Sequence, residues 1–256
     1  MKKLRTVLLG LIIPVLVVLL WWITTTFGNT PETILPKLSS VGNRLVELLS
    51  NGKLQGDVLI SLERVLKGYF VSAVLGIFLG TIMGMSDTVN KIFQPTATVI
   101  RQIPIMAWIP LLILWCGIGE LSKIVVIVIA SFFPIMVNTF SGISTTPLEY
   151  VEVARLYNLG KFKTFTRVYL PYALPHIQTG LKLGLGVSWM AVVAAELLAS
   201  NSGIGYSMSY ARTLMQSDVV IIDMTVIGAV GIIMDKIVSL IFNVLTPWEK
   251  ARRERG

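Results

Sequence analysis

Apolar runs of bilayer length alternate with short polar stretches along nearly the whole chain. Runs over about 6–27, 60–85, 92–118, 121–142, 176–199 and 219–245 predict six transmembrane helices, in an all-α membrane protein forming one domain over residues 1–256. A helix of ~20 residues rises ~30 Å, enough to cross the hydrocarbon core. The first run follows the basic start Met1–Arg5, so a cleaved export signal is the competing reading there. Its length, the bulky Trp21-Trp22 pair at its far end and the missing small-x-small cleavage site favour a retained span with its tryptophans at the outer interface.

Within the runs, proline and glycine change the picture. Pro95, Pro104 and Pro110 interrupt the third run and Arg101 lies inside it, which predicts a broken or kinked span. Irregular backbone at membrane depth needs protein or a water-filled cavity around it, so this span is expected to line a pathway. Pro134 predicts a kink in the fourth run. Gly76, Gly80 and Gly84 of the second run fall four apart, and the fifth carries Gly180, Gly184 and Gly186. Small residues at helical spacing let another helix approach closely, and these faces are candidates for packing between two copies of the chain. Between the first two spans, Ser40–Leu49 has Val41, Leu45, Leu48 and Leu49 on one helical side and reads as a short interfacial helix or as a solvated loop. Residues 200–217 read as a polar, glycine-bearing outer loop.

Composition narrows the class. With 54% hydrophobic and 14% charged residues, the chain lies outside the soluble globular range. A net charge of +8 would suggest nucleic acid in a soluble protein, but no aromatic residues interleave with a basic patch. The cations instead mark cytoplasmic segments. Lys2, Lys3, Arg5, Lys91, four cations between 155 and 167, and Lys250, Arg252, Arg253 and Arg255 of the tail fall on one side, which predicts both termini in the cytoplasm. A single cysteine, Cys116, excludes an internal disulfide and a cysteine-based zinc site, and a single histidine, His176, excludes a multi-histidine metal centre. No metal site, catalytic residue or Walker A stretch is expected. Ionisable residues inside spans are functional candidates by default. Asp235-Lys236 reads as a pair in the cytoplasmic third with Lys236 snorkelling. Lys182 reads as snorkelling too, and Glu196 reads as an outer gate residue or one among the headgroups. Met106, Trp108, Trp115, Trp189 and Glu196 are the candidates for the pathway wall.

One polar, cationic island, residues 145–172, stands between the fourth and fifth runs. It holds Arg155, Lys161, Lys163 and Arg167 with Glu149 and Glu152. Thr146, Pro147 and Glu149 spell a capping box, T-P-L-E, predicting a helix to about Tyr157 that stops at Asn158, a residue tolerant of the left-handed conformation. A second helix is predicted over Lys161–Tyr169, ended by Leu170-Pro171. Glu152-Val153-Ala154, Asn158-Leu159-Gly160 and Leu170-Pro171 resemble the EAA loop of permease subunits of ATP-binding-cassette importers. Val153 replaces an alanine of that pattern and Asn158 a glycine, the latter conservative because asparagine follows glycine at left-handed caps. The words Ile103-Pro104, Ala107-Trp108-Ile109-Pro110 and Gly117-Ile118-Gly119-Glu120 resemble the sulfonate, taurine and nitrate branch of these permeases.

The resemblance implies a type I importer permease in the bacterial plasma membrane, with no cofactor of its own. ATP is then hydrolysed by a separate cassette ATPase, present in two copies, and an external binding protein delivers the solute. It further implies that Glu152, Ala154 and Arg155 face a groove of the ATPase, that Asn158, Leu159 and Gly160 set the angle of the helix pair, and that Pro171 ends it. Because the ATPase closes as a dimer, a second copy of this permease is expected across a two-fold axis. The same machinery for a thiamine precursor, riboflavin or bicarbonate is the alternative. A gradient-driven transporter would need internal repeats and several buried carboxylates, and an intramembrane enzyme would need clustered catalytic groups.

Overall fold

The computed structural model describes residues 2–28 and 30–245, and every regular element among them is helical. The first predicted span is one helix, α1 (Lys2–Phe27). The ambiguous stretch after it is helical, α2 (Leu38–Ser50), and Trp21 Nε1 donates to the Pro36 carbonyl at 2.9 Å just ahead of it. The second span belongs to a longer helix, α3 (Lys53–Met85). In place of one third span there are two helices, α4 (Asp87–Ile100) and α5 (Ile105–Cys116), bent 96° from each other. Then follow α6 (Glu120–Ser144), α7 (Leu148–Leu156), a single turn α8 (Lys161–Thr164), a π-helical turn over Phe165–Tyr169, and α9 (Leu170–Ala199). The chain closes with α10 (Ile204–Thr213) and α11 (Ser217–Leu245). The cationic tail 248–256 lies outside the described residues. Among the described residues, five helices are long and apolar enough to cross a bilayer, or six if the bent pair forms one span.

Helix α6 is the spine, gripped between α3 and α9. A Cβ on Gly76 would meet Ile135, one on Gly80 would sit 2.5 Å from the Met136 carbonyl oxygen, and one on Gly84 would meet Ile143. From the other side, Gly180 and Gly184 of α9 lie against Asn138 and Ile135. Ser72 Oγ and Ser131 Oγ are 2.6 Å apart, and Tyr69 Oη donates to the Leu181 carbonyl at 3.0 Å. In lipid such close backbone approach supplies dispersion contacts that the hydrophobic effect cannot. This corrects the expectation that the glycine faces join two copies for five of the six residues: Gly76, Gly80, Gly84, Gly180 and Gly184 are used up inside one chain, while Gly186 is exposed with nothing within 4 Å.

A second correction concerns residues 200–217. They are not a loop, because Ile204, Ser207 and Ala211 recur at helical spacing and bury against the bundle. Leu48 of α2, Val65 of α3, Val192 of α9, Ala211 of α10 and Ile222 of α11 share one core. Helix α5 rests on α6 and α9 through Ile109, Leu112, Val126, Ala191 and Ala195.

Candidate functional site

The island between α6 and α9 is a knob whose stiffness comes from its two ends. The predicted capping box does not form. Helix α7 starts one residue later, with Pro147 in the extended conformation at its N-cap, and Thr146 turns its hydroxyl back towards the Gly142 carbonyl at 3.5 Å. Glu149 in the first turn and Arg155 in the last still complement the helix dipole. At the other end Asn158 takes φ +51°, Leu159 N–H donates to the Ala154 carbonyl at 3.0 Å, and Asn158 N–H donates to the Arg155 carbonyl at 2.9 Å. That pair of bonds is a Schellman closure, the arrangement for which the sequence offered asparagine in place of glycine.

The second predicted helix does not stop at Leu170-Pro171. Thr164, the π turn and α9 run on as one rod from Lys161 to Ala199. A proline inside an α-helix clashes with the carbonyl four residues back, and widening the preceding turn to π spacing relieves it. The second half of the island is therefore continuous with the fifth span, and α7 joins it through the turn 157–160.

Side-chain placement divides the predicted contact set. Val151 and Ala154 are buried, Ala154 at the wall of the cleft beside the helix, while Glu152 and Arg155 are exposed. Leu159 is half-buried, and Asn158 and Gly160 are exposed. The sequence reading missed the apolar surface beside them. Leu148, Tyr150, Val153, Leu156, Tyr157 and Phe162 all stand exposed, Leu156 at 81%. Its signal was present: α7 is apolar on nearly every side, which a merely solvated helix is not. Between this helix and the π turn lies a cleft of about 440 Å³, bordered by Tyr150, Leu159, Arg167 and Pro171.

The broken span forms a second feature. Its break, residues 101–104, opens onto a cavity of about 430 Å³ against the middle of α6, lined by Arg101, Pro104, Trp108, Phe133 and Asn138 among others. Of the pathway candidates, Trp108 borders this cavity, Met106 is exposed nearby, and Trp115 is exposed at the end of α5. Trp189 departs from the expectation of an open wall. It is 4% exposed and donates from Nε1 to the Ile227 carbonyl at 2.9 Å, locking α9 to α11.

Glu196 is not free but buried and paired inside the bundle. It is 1% exposed and pairs with Arg64 Nη1 at 2.7 Å, accepts from Ser61 Oγ at 2.8 Å and accepts from the Gly205 N–H at 2.9 Å. Arg64 also grips Glu120 in a fork, Nη2 to Oε1 at 2.6 Å and Nε to Oε2 at 2.8 Å, and reaches the Ser202 carbonyl at 2.8 Å. Lys123 completes the set on Glu120 at 2.9 Å. Gly203 enters this knot at φ +100°, where a Cβ would run into the Glu196 carboxylate. One network thus joins α3, α6, α9 and the start of α10. Asp235 and Lys236 border a cleft between α9 and α11 with Trp189 and Met190.

A family model described as "Binding-protein-dependent transport system inner membrane component" matches residues 72–251. A putative ABC transporter permease protein of Methanocaldococcus jannaschii is 37% identical over 251 residues, covering 96% of this chain and 94% of its own. A putative aliphatic sulfonates transport permease of Bacillus subtilis is 34% identical over 242 residues, covering 94% and 88%. Among solved structures, a chain of an amino acid ABC transporter superimposes with a TM-score of 0.62 at 15% identity, over 77% of this chain and 96% of that one, a likeness of fold.

Proposed function

The chain belongs to the inner-membrane components of binding-protein-dependent transport systems, the permeases of ATP-binding-cassette importers, and from that premise we propose how its parts serve transport. The knob α7 docks in a cassette ATPase through the exposed apolar face around Leu148, Leu156 and Tyr157, with Glu152 and Arg155 setting register by charge. Asn158, Leu159, Gly160 and Pro171 hold the knob at its angle to α9. Two permease copies and two ATPase copies assemble, both permease termini lie in the cytoplasm, and an external binding protein delivers the solute. The solute is a small organic anion of the aliphatic sulfonate kind, a reading supported by likeness to the sulfonate permease.

The observation that carries the mechanism is the uninterrupted rod from Lys161 to Ala199 joined to a Schellman-closed helix. A loose turn at 157–160 would absorb the ATPase stroke, and the Schellman bonds to the Ala154 and Arg155 carbonyls stiffen it. A continuous helix passes it on as a rigid-body tilt of the fifth span, and α6, packed against it, follows. The test is uptake of taurine by proteoliposomes holding the permease, its ATPase and its binding protein. Uptake is expected to require ATP. Glu152→Lys is expected to leave membrane insertion intact while ATP hydrolysis continues without uptake, and normal uptake by that variant would remove Glu152 from the coupling role.

A further inference from the structure

We propose that the cavity at the break of the third span is an anion subsite within the permease itself, holding the oxyanion head of the solute on its way through. The inference rests on the reading of the chain as an organic-anion importer and extends it from passage to recognition. Arg101 is the one ionisable group among the residues that line the cavity. Among the described residues no carboxylate pairs with it. That sets it apart from Arg64 and Lys123, the buried cations of the bundle, which are both neutralised by Glu120 and in Arg64's case by Glu196 as well. Arg101 is itself exposed at the break, so its guanidinium is open to an anion that the chain does not supply.

Two further groups converge there. Helix α5 begins at the break, and its N-cap Pro104 supplies no side-chain cap; Ala107 N–H donates to the Pro104 carbonyl at 2.9 Å, which leaves the Ile105 and Met106 N–H groups without a partner from their own helix or cap. The positive end of its dipole lies at the same break as the guanidinium, the arrangement by which discontinuous helices meet anionic solute groups. Asn138, in the C-terminal third of the facing helix, spends one amide N–H on the Pro134 carbonyl at 2.8 Å, which leaves its second N–H to donate. The remaining wall is apolar, with Trp108, Ile129 and Phe133 able to cover a short alkyl tail, and about 430 Å³ lies within the range of small-molecule sites. A guanidinium fork suits a sulfonate or another planar or tetrahedral oxyanion better than a zwitterion's ammonium end.

The experiment reads the field in the cavity without transport. The full-length permease with its ATPase, in nanodiscs, carries Cys116→Ser and a reporter Val137→Cys, a near-isosteric change on the cavity wall. Ala130→Cys serves as a second reporter. Modification rates are measured with an anionic ethylsulfonate methanethiosulfonate and with its cationic trimethylammonium counterpart. Adding Arg101→Gln is expected to lower the ratio of anionic to cationic rate about tenfold, the influence of one nearby charge in a partly solvated cavity, and Arg101→Lys is expected to restore it. Ethanesulfonate is expected to slow modification when Arg101 is present and not in Arg101→Gln. An unchanged ratio across these backgrounds, no protection by ethanesulfonate, or failure of both reporters to react would overturn the subsite. Because no ATP or binding protein enters the assay, a charge-dependent ratio with no taurine uptake would sink the importer solute and leave the subsite. The converse result would do the reverse.

Discussion

Arg64 shows how much one residue can be asked to hold. Its side chain is 4% exposed and bonds to two carboxylates and to the loop ahead of α10. Removing one member of a buried pair leaves the other charged and unsolvated, at a cost of about 3–5 kcal/mol. Arg64→Met should therefore lower the melting temperature of the detergent-purified protein sharply, and adding Glu196→Gln should recover a large part of the loss. If the single variant melted like the parent, the network would be ornamental. Asn158 makes a smaller, sharper case. At φ +51° glycine fits and a β-branched side chain does not, so Asn158→Gly should keep uptake and Asn158→Val should cost about 1–2 kcal/mol locally. The expected sign is faster proteolysis of the 145–160 segment in the valine variant alone. The left-handed turn at Asn158 was legible because conformational preference is local. The fate of Glu196 was not, because its partner lies 132 residues away.

At the scale of elements, the grip of α3 and α9 on α6 decides how motion spreads. Gly80 leaves no room for a Cβ, the nearest obstacle being a backbone oxygen 2.5 Å away, whereas Gly10 of α1 has nothing within 4 Å. Gly80→Ala should separate α3 from α6 and reduce thermal stability by about 1–3 kcal/mol, as overpacking does, and Gly10→Ala should leave it unchanged. Equal melting curves would mean that the two helices do not depend on this contact. Element existence was readable from apolar run length for α1, α3, α6, α9 and α11. It failed where helical periodicity is written in small and polar residues, as with Ile204, Ser207 and Ala211 of α10. It failed also at Pro171, where a local stop signal is overridden by a π turn that the packing of α9 makes worthwhile.

For the whole molecule, Gly76, Gly80, Gly84, Gly180 and Gly184 are spent within one chain, and other surfaces stay open. Helix α11 has none of its most apolar window buried, and α4 has no buried residue. Those faces stand open in the single chain. The mass of the detergent-solubilised complex with the ATPase should correspond to two permeases, and a single permease per complex would refute the paired assembly. The sequence by itself determined the class: apolar length, proline and glycine spacing and the EAA-like island mark an importer permease with a knob between two spans, because hydropathy and backbone preference act over a few residues. Only the tertiary structure decided which helix faces are occupied, that the second half of the island is fused to α9, that Arg64 neutralises Glu196 and that Arg101 stands without a carboxylate at a cavity. Those outcomes depend on which distant groups meet, and in a bilayer an ionised side chain is tolerable or not according to that meeting.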